Sequence, residues 1–145
     1  MTTVEETLSL NISQEIFVRA TLETTFEALL DQMGPANERA DGSAMPMKIE
    51  AWPGGRWYRD LGGDNGHFWG HVQAIRRPDL LEICGPLFAS SPLVSNVQYR
   101  LKAKEGGTLI EFRHTAMGYM SDDHRQGVHT GWATLLARVR KAAEK

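Results

Sequence analysis

Five histidines, His67, His71, His114, His124 and His129, carry the side chains of this sequence best matched to proton exchange near neutral pH. His67, Trp69 and His71 are spaced two apart in a stretch of strand character, which puts them on one face. His114 ends the inward series Ile110, Phe112, His114 of another strand. If His71 and His114 face one cavity, they can hold a polar head group or act as acid and base there. The plainer reading of each histidine is a hydrogen-bonded residue at a sheet edge or on an outer face, because no spacing among them resembles a metal-ligand motif. The Trp69 face has a rival, since Phe68, Gly70, Val72 and Ala74 form the alternative inward set.

The other reactive residue types form no constellation. Ser90, Ser91, Ser95 and Cys84 do not occupy a glycine-flanked elbow between strand and helix. Cys84 is the only cysteine, which excludes an intramolecular disulfide and a cysteine-based zinc or iron-sulfur site. Asp60, Asp64, Glu82 and Glu111 show no paired spacing and read as solvated groups. The run Gly62 to Gly66 joins strands and opens no helix, so it reads as a hairpin turn and not a phosphate cradle. Arg56 and Arg59 flank Trp57 and Tyr58, where they can attract an anion or simply meet water. No catalytic set, metal site or cofactor is assigned.

The elements that must position these residues are legible from pattern. Leu8, Leu10 and Ile12, then Ile16, Val18 and Ala20, read as a first strand with a slip and bulge near Ser13. Thr21 or Thr24 caps a short helix that stops before Gly34 and Pro35. The stretch from Pro35 to Pro46 is assigned no regular structure. Hairpins follow around Pro53-Gly54-Gly55, Gly62 to Gly66, Pro78-Asp79 and Glu105-Gly106-Gly107. Val97, Tyr99 and Leu101 alternate with Gln98, Arg100 and Lys102 on the way to the last strand. Ser121 caps a long terminal helix with Asp122 and Asp123 in its first turn and basic residues in its last. Val128, Trp132, Leu135, Leu136 and Val139 form its apolar stripe. About seven antiparallel strands and one long helix make an α+β fold.

The bounds agree with one domain. The chain has 145 residues, 41% of them hydrophobic, and a net charge of −2, which argues against nucleic-acid binding. No basic-then-apolar leader and no membrane-spanning run is present, so a cytoplasmic location is expected. Met1 to Thr7 read as a flexible terminus and residues 8–145 as the domain. Association into a homodimer is left open.

The element order resembles the START-like (SRPBCC) superfamily, whose helix-grip fold curls an antiparallel sheet around a long C-terminal helix. Ala20 to Leu29 is similar to its opening strand-to-helix signature. Trp52-Pro53-Gly54-Gly55-Arg56-Trp57-Tyr58, Gly66, Gly70-His71-Val72, Pro78 and Leu81 resemble the hairpins of the branch homologous to the activator of the heat-shock chaperone ATPase. Gly131-Trp132 with Leu135 and Leu136 is similar to that branch's last helix. The resemblance implies a cavity between helix and sheet that takes a small apolar or amphipathic molecule such as a lipid.

Trp57, Trp69, Tyr99, Phe112, His114, Val128 and Trp132 are expected to line that cavity, with His71 as a polar contact. On the helix, His124, Val128, Gly131 and Leu135 are expected to face it. The alternatives are an interaction module regulating a chaperone, with Leu87 to Leu93 and Phe88 as its patch, and a cyclase or hydrolase using cavity histidines.

Overall fold

The computed structural model describes residues 8–145, so the terminus expected to be flexible lies outside the described residues. The order is β1 (Ser9–Val18), α1 (Leu22–Met33), β2 (Lys48–Ile49), β3 (Arg56–Gly62), β4 (Asn65–Arg76), β5 (Leu80–Gly85), β6 (Leu93–Lys104), β7 (Gly107–Gly118) and α2 (Asp122–Ala143). The seven strands form one antiparallel sheet in the order β1-β7-β6-β5-β4-β3-β2, with both helices on one face, as the helix-grip expectation requires.

The helix caps follow the sequence signals. Thr21 is the residue that caps α1, its hydroxyl accepting from the Thr24 amide at 3.1 Å. Phe26, Leu29, Leu30 and Met33 turn one face of α1 into the core. Ser121 caps α2 by accepting from the His124 amide at 3.1 Å, with Asp122 and Asp123 in the first turn. Val128, Trp132, Leu135, Leu136 and Val139 are all buried in the same cluster as Tyr99, Ile110 and Phe112 of the sheet.

Two expectations about strand register are corrected. β1 carries no bulge at Ser13: its pairing with β7 runs unbroken from Ser9 opposite Met117 to Val18 opposite Thr108. The inward series continues through the polar Gln14, whose side-chain amide donates to the His129 carbonyl of α2 at 2.8 Å. A polar residue on the inner face imitated a slip.

Register shifts occur instead in the β3, β4 and β5 pairings, and the one that bears on the site is in β4. Trp57 pairs with Gly70 and the next residue, Tyr58, pairs with Phe68, so Trp69 is the extra residue. Alternation therefore fails between Trp69 and His71. Trp69 turns inward to Trp57, whereas His71 is exposed on the outer face against Phe68, ring centroids 4.8 Å apart.

Gly70 sits beside this bulge, where an added Cβ would lie 2.7 Å from the Cys84 carbonyl oxygen and 3.0 Å from Ile83 Cγ2. Gly70→Ala is expected to destabilise the fold by roughly 1–3 kcal/mol, read from urea unfolding. An unchanged midpoint would mean that β4 and β5 can separate here at no cost.

Candidate binding cleft

Trp57 anchors the inner wall. It is buried on β3, and its indole N–H donates to the Met33 carbonyl at 2.8 Å, satisfying one of the free carbonyls at the end of α1. Trp69 meets it edge-on at 4.9 Å, and the Trp69 N–H donates to His67 Nδ1 at 3.1 Å. Phe88 follows at 5.7 Å from Trp69, carried on the turn that begins at Leu87. Leu87 is held at a positive φ of 57°, a conformation uncommon for a branched residue, and it is itself buried. Phe88 stacks on His124 of α2 at 5.0 Å and approaches Trp132 at 6.3 Å.

These rings bound a cleft of about 590 Å³ open to solvent. Its helical side is α2, which contributes Asp123, His124, Gly127, Val128, Gly131, Trp132, Thr134, Leu135 and Arg138. The opposite lip is the segment left without regular structure, from Asn37 to Met45. It is a compact loop: Asn37 and Met45 exchange hydrogen bonds, Arg39 donates to the Ala44 carbonyl at 2.8 Å, and the Ser43 amide and hydroxyl both donate to Asp41 Oδ1. Gly127 and Gly131 keep the helical side open, since an added Cβ at either would have no atom within 4 Å.

Of the residues expected to line the cavity, Trp57, Trp69, His124, Val128, Gly131, Trp132 and Leu135 meet around the cleft. Tyr99, Phe112 and His114 do not. They lie behind Trp132, whose ring packs on Phe112 at 4.9 Å, with Tyr99 a further 5.1 Å from Phe112, so the ring series continues as filled core. His71 is on the other face of the sheet, for the reason given by the bulge. Sequence reasoning missed the lip residues and Arg138. Phe88, expected in an exposed patch, is exposed and also forms a wall of the cleft. Arg138 carried a usable signal, standing three residues beyond Leu135 and so on the same side of the helix.

His114 is 1% exposed and lies within 2.9 Å of both Trp132 Nε1 and Ser95 Oγ. An indole N–H can only donate, so His114 Nδ1 must keep its lone pair and the ring proton belongs on Nε2, donating to Ser95. The Ser95–His114 pair thus has a catalytic dyad's spacing with the proton on the wrong nitrogen. Both residues are also buried away from the cleft. Burial, helped by the charge of His124, lowers the His114 pKa to about 4. Burial also lowers that of His124, whose Nε2 has no hydrogen-bond partner.

Arg56, one of the arginines that could attract an anion, is committed on the outer face. It holds Glu50 through both carboxylate oxygens at 2.9 and 2.8 Å and lies over the Tyr58 ring. Its hydrogen bonds keep the Glu50 carboxyl well below its ordinary range. Among the described residues, no three His, Cys, Asp or Glu side chains cluster to hold a metal ion, and no helix is long and apolar enough to cross a membrane.

A curved antiparallel sheet closed by a long terminal helix, with a cleft between them, defines the START-like helix-grip class. Within that class the chain belongs to the family of Activator of Hsp90 ATPase homolog 1-like proteins, which matches residues 19–144.

Solved structures agree on the fold. A putative uncharacterized protein from Rhizobium leguminosarum is 16% identical with a TM-score of 0.74, over 94% of this chain and 95% of that one. Ara h 8.0201 is 13% identical with a TM-score of 0.70, over 93% and 97%. An AHSA1-like protein from Aeromonas hydrophila is 17% identical with a TM-score of 0.68, over 93% and 92%. No curated protein matches the sequence.

The neutral His114 makes folding pH-dependent. Its pKa is depressed on folding, so the unfolded chain takes up this proton first as pH falls. The stabilisation is complete above pH 6.5, the ordinary histidine value, and is lost progressively towards pH 4. Urea unfolding is expected to show a loss of up to about 3 kcal/mol across that window from this residue. His114→Phe should flatten the slope between pH 7 and 5 even though it destabilises the protein by orphaning the Trp132 N–H. An equal slope in both proteins would assign the dependence to other groups.

Proposed function

We propose that the protein binds a small apolar or amphipathic molecule in the cleft between α2 and the sheet. The observation that carries this reading is the arrangement of Trp57, Trp69, Phe88 and Trp132 around space that Gly127 and Gly131 leave unfilled. A helix of this length has no helical reason to place two glycines one turn apart on one side, since each costs about 1 kcal/mol relative to alanine. An open cleft is a functional reason. Its volume lies within the range of small-molecule sites, and its apolar walls supply binding free energy at ~25 cal/mol per Å² buried. The unpartnered His124 Nε2, on a ring whose pKa burial lowers, supplies one point for fixing orientation.

The rival readings have less support. Phe88, the residue offered for contact with a chaperone, packs on Trp69 and His124, and its role in the cleft accounts for its position. An enzyme using His114 would need it at the cleft, and His114 is sealed behind Trp132 with its proton directed at Ser95.

The test uses N-phenyl-1-naphthylamine, an uncharged fluorescent probe, with tryptophan quenching as a second readout. The wild-type protein is expected to bind it and Gly131→Leu to bind at least about tenfold more weakly, a change of 1.4 kcal/mol. The same substitution should raise stability by about 0.5–1 kcal/mol, because leucine is the better helix former and occupies open space. Stability and affinity would move in opposite directions. A probe that binds neither protein, or both alike, would remove the cleft as the site.

A further inference from the structure

Arg138 is a cation on the inner side of α2 with no carboxylate paired to it among the described residues. It lines the cleft one turn beyond Leu135, is only half-exposed, and forms no ion pair with any described residue. Its Nε is buried with no hydrogen-bond partner, which is costly for a guanidinium, whose five donors ordinarily find carboxylate, carbonyl or water. The Arg138 guanidinium is thus an unpaired donor at one end of a cleft whose walls are otherwise mainly aromatic and aliphatic.

The remaining charges around the cleft do not neutralise this end. Asp123 is in the first turn of α2, fifteen residues before Arg138 and so about 22 Å away along the helix axis. Glu38 and Arg39 are adjacent on the lip and opposite in sign, and Glu38 forms no ion pair with Arg138. The cleft is thus polarised along its length, with an acidic group near the start of the helix and an uncompensated cation near its end.

We infer that the ligand is an elongated amphiphile with an anionic head, a carboxylate or its sulfonate analogue, which pairs with Arg138 while its apolar body lies along Trp132, Phe88 and Trp69. The inference rests on the cleft being a ligand site and adds the charge and the orientation of what it holds. A planar guanidinium suits this task, because it takes both oxygens of a carboxylate in parallel hydrogen bonds and does so most strongly where water is scarce. The Arg138 guanidinium then has a counter-charge when the cleft is filled.

The experiment compares N-phenyl-1-naphthylamine with 1-anilinonaphthalene-8-sulfonate, which has the same ring system plus a sulfonate. Both are titrated into wild type, Arg138→Met and Arg138→Lys, with displacement by dodecanoate and by dodecanol. The wild type is expected to prefer the anionic probe by at least about tenfold and to release it to dodecanoate more readily than to dodecanol. Arg138→Met should abolish the preference, the anionic probe losing at least about tenfold more affinity than the uncharged one, and Arg138→Lys should keep part of it.

Equal affinity of the two probes in the wild type, or a preference that survives in Arg138→Met, overturns the anionic head while binding of the uncharged probe upholds the cleft. Failure of both probes to bind the wild type overturns the cleft itself.

Discussion

The indole N–H of Trp132 has to be satisfied inside the core, and the manner of its satisfaction organises both sides of the helix. The donor is met by His114 Nδ1, which in turn commits the opposite ring nitrogen to Ser95 on the neighbouring strand. That chain of hydrogen bonds joins α2, β7 and β6 at one point and holds the Trp132 ring against Phe112, tilted by 44° at 4.9 Å. Everything behind the ring becomes sealed core, and everything in front of it is cleft. A smaller residue at position 132 would connect the two spaces, and His114 would then face the ligand instead of the interior.

The opposite wall depends on a different device. A strand that alternated regularly would carry Trp69 and His71 on the same face, and the cleft would gain a histidine. The extra residue in β4 breaks the alternation, directs Trp69 inward and returns His71 to the outside. Trp57, paired across that bulge, is tied in turn to the end of α1 through Met33. The bulge, the α1 terminus and the loop from Asn37 to Met45 therefore act together, positioning one wall and one lip against the helix.

The same geometry separates this protein's histidines into distinct roles despite their similar appearance in sequence. His114 is a neutral structural acceptor, His124 stacks on Phe88 at the cleft, and His71 is a surface residue. Only environment distinguishes them, because burial and partner, not residue type, set whether an imidazole can exchange a proton near pH 7. Arginines divide likewise, with Arg56 neutralised by Glu50 outside and Arg138 unmatched within.

Local pattern determined most of the fold. The Ser121 cap, the stripe from Val128 to Val139 and the inward series Ile110, Phe112, His114 each depend on contacts within a few residues, and each was readable from spacing. So were the hairpin turns and the α+β arrangement they imply, while the helix-grip form came from the family resemblance. Tertiary structure alone decided what no local period encodes. It made Gln14 an inward residue through a bond to α2, reversed His71 through a bulge, and folded an unpatterned loop into a lip.

It also drew the border between core and cleft at Trp132. Aromatic residues read as a cavity lining are equally able to fill one another's space, so the division between Tyr99 and Phe112 behind and Trp57 and Trp69 in front came from packing across the sheet. Side-chain periodicity reports which face a residue takes. Whether that face meets another side chain or an open space is settled only when the distant elements close on it.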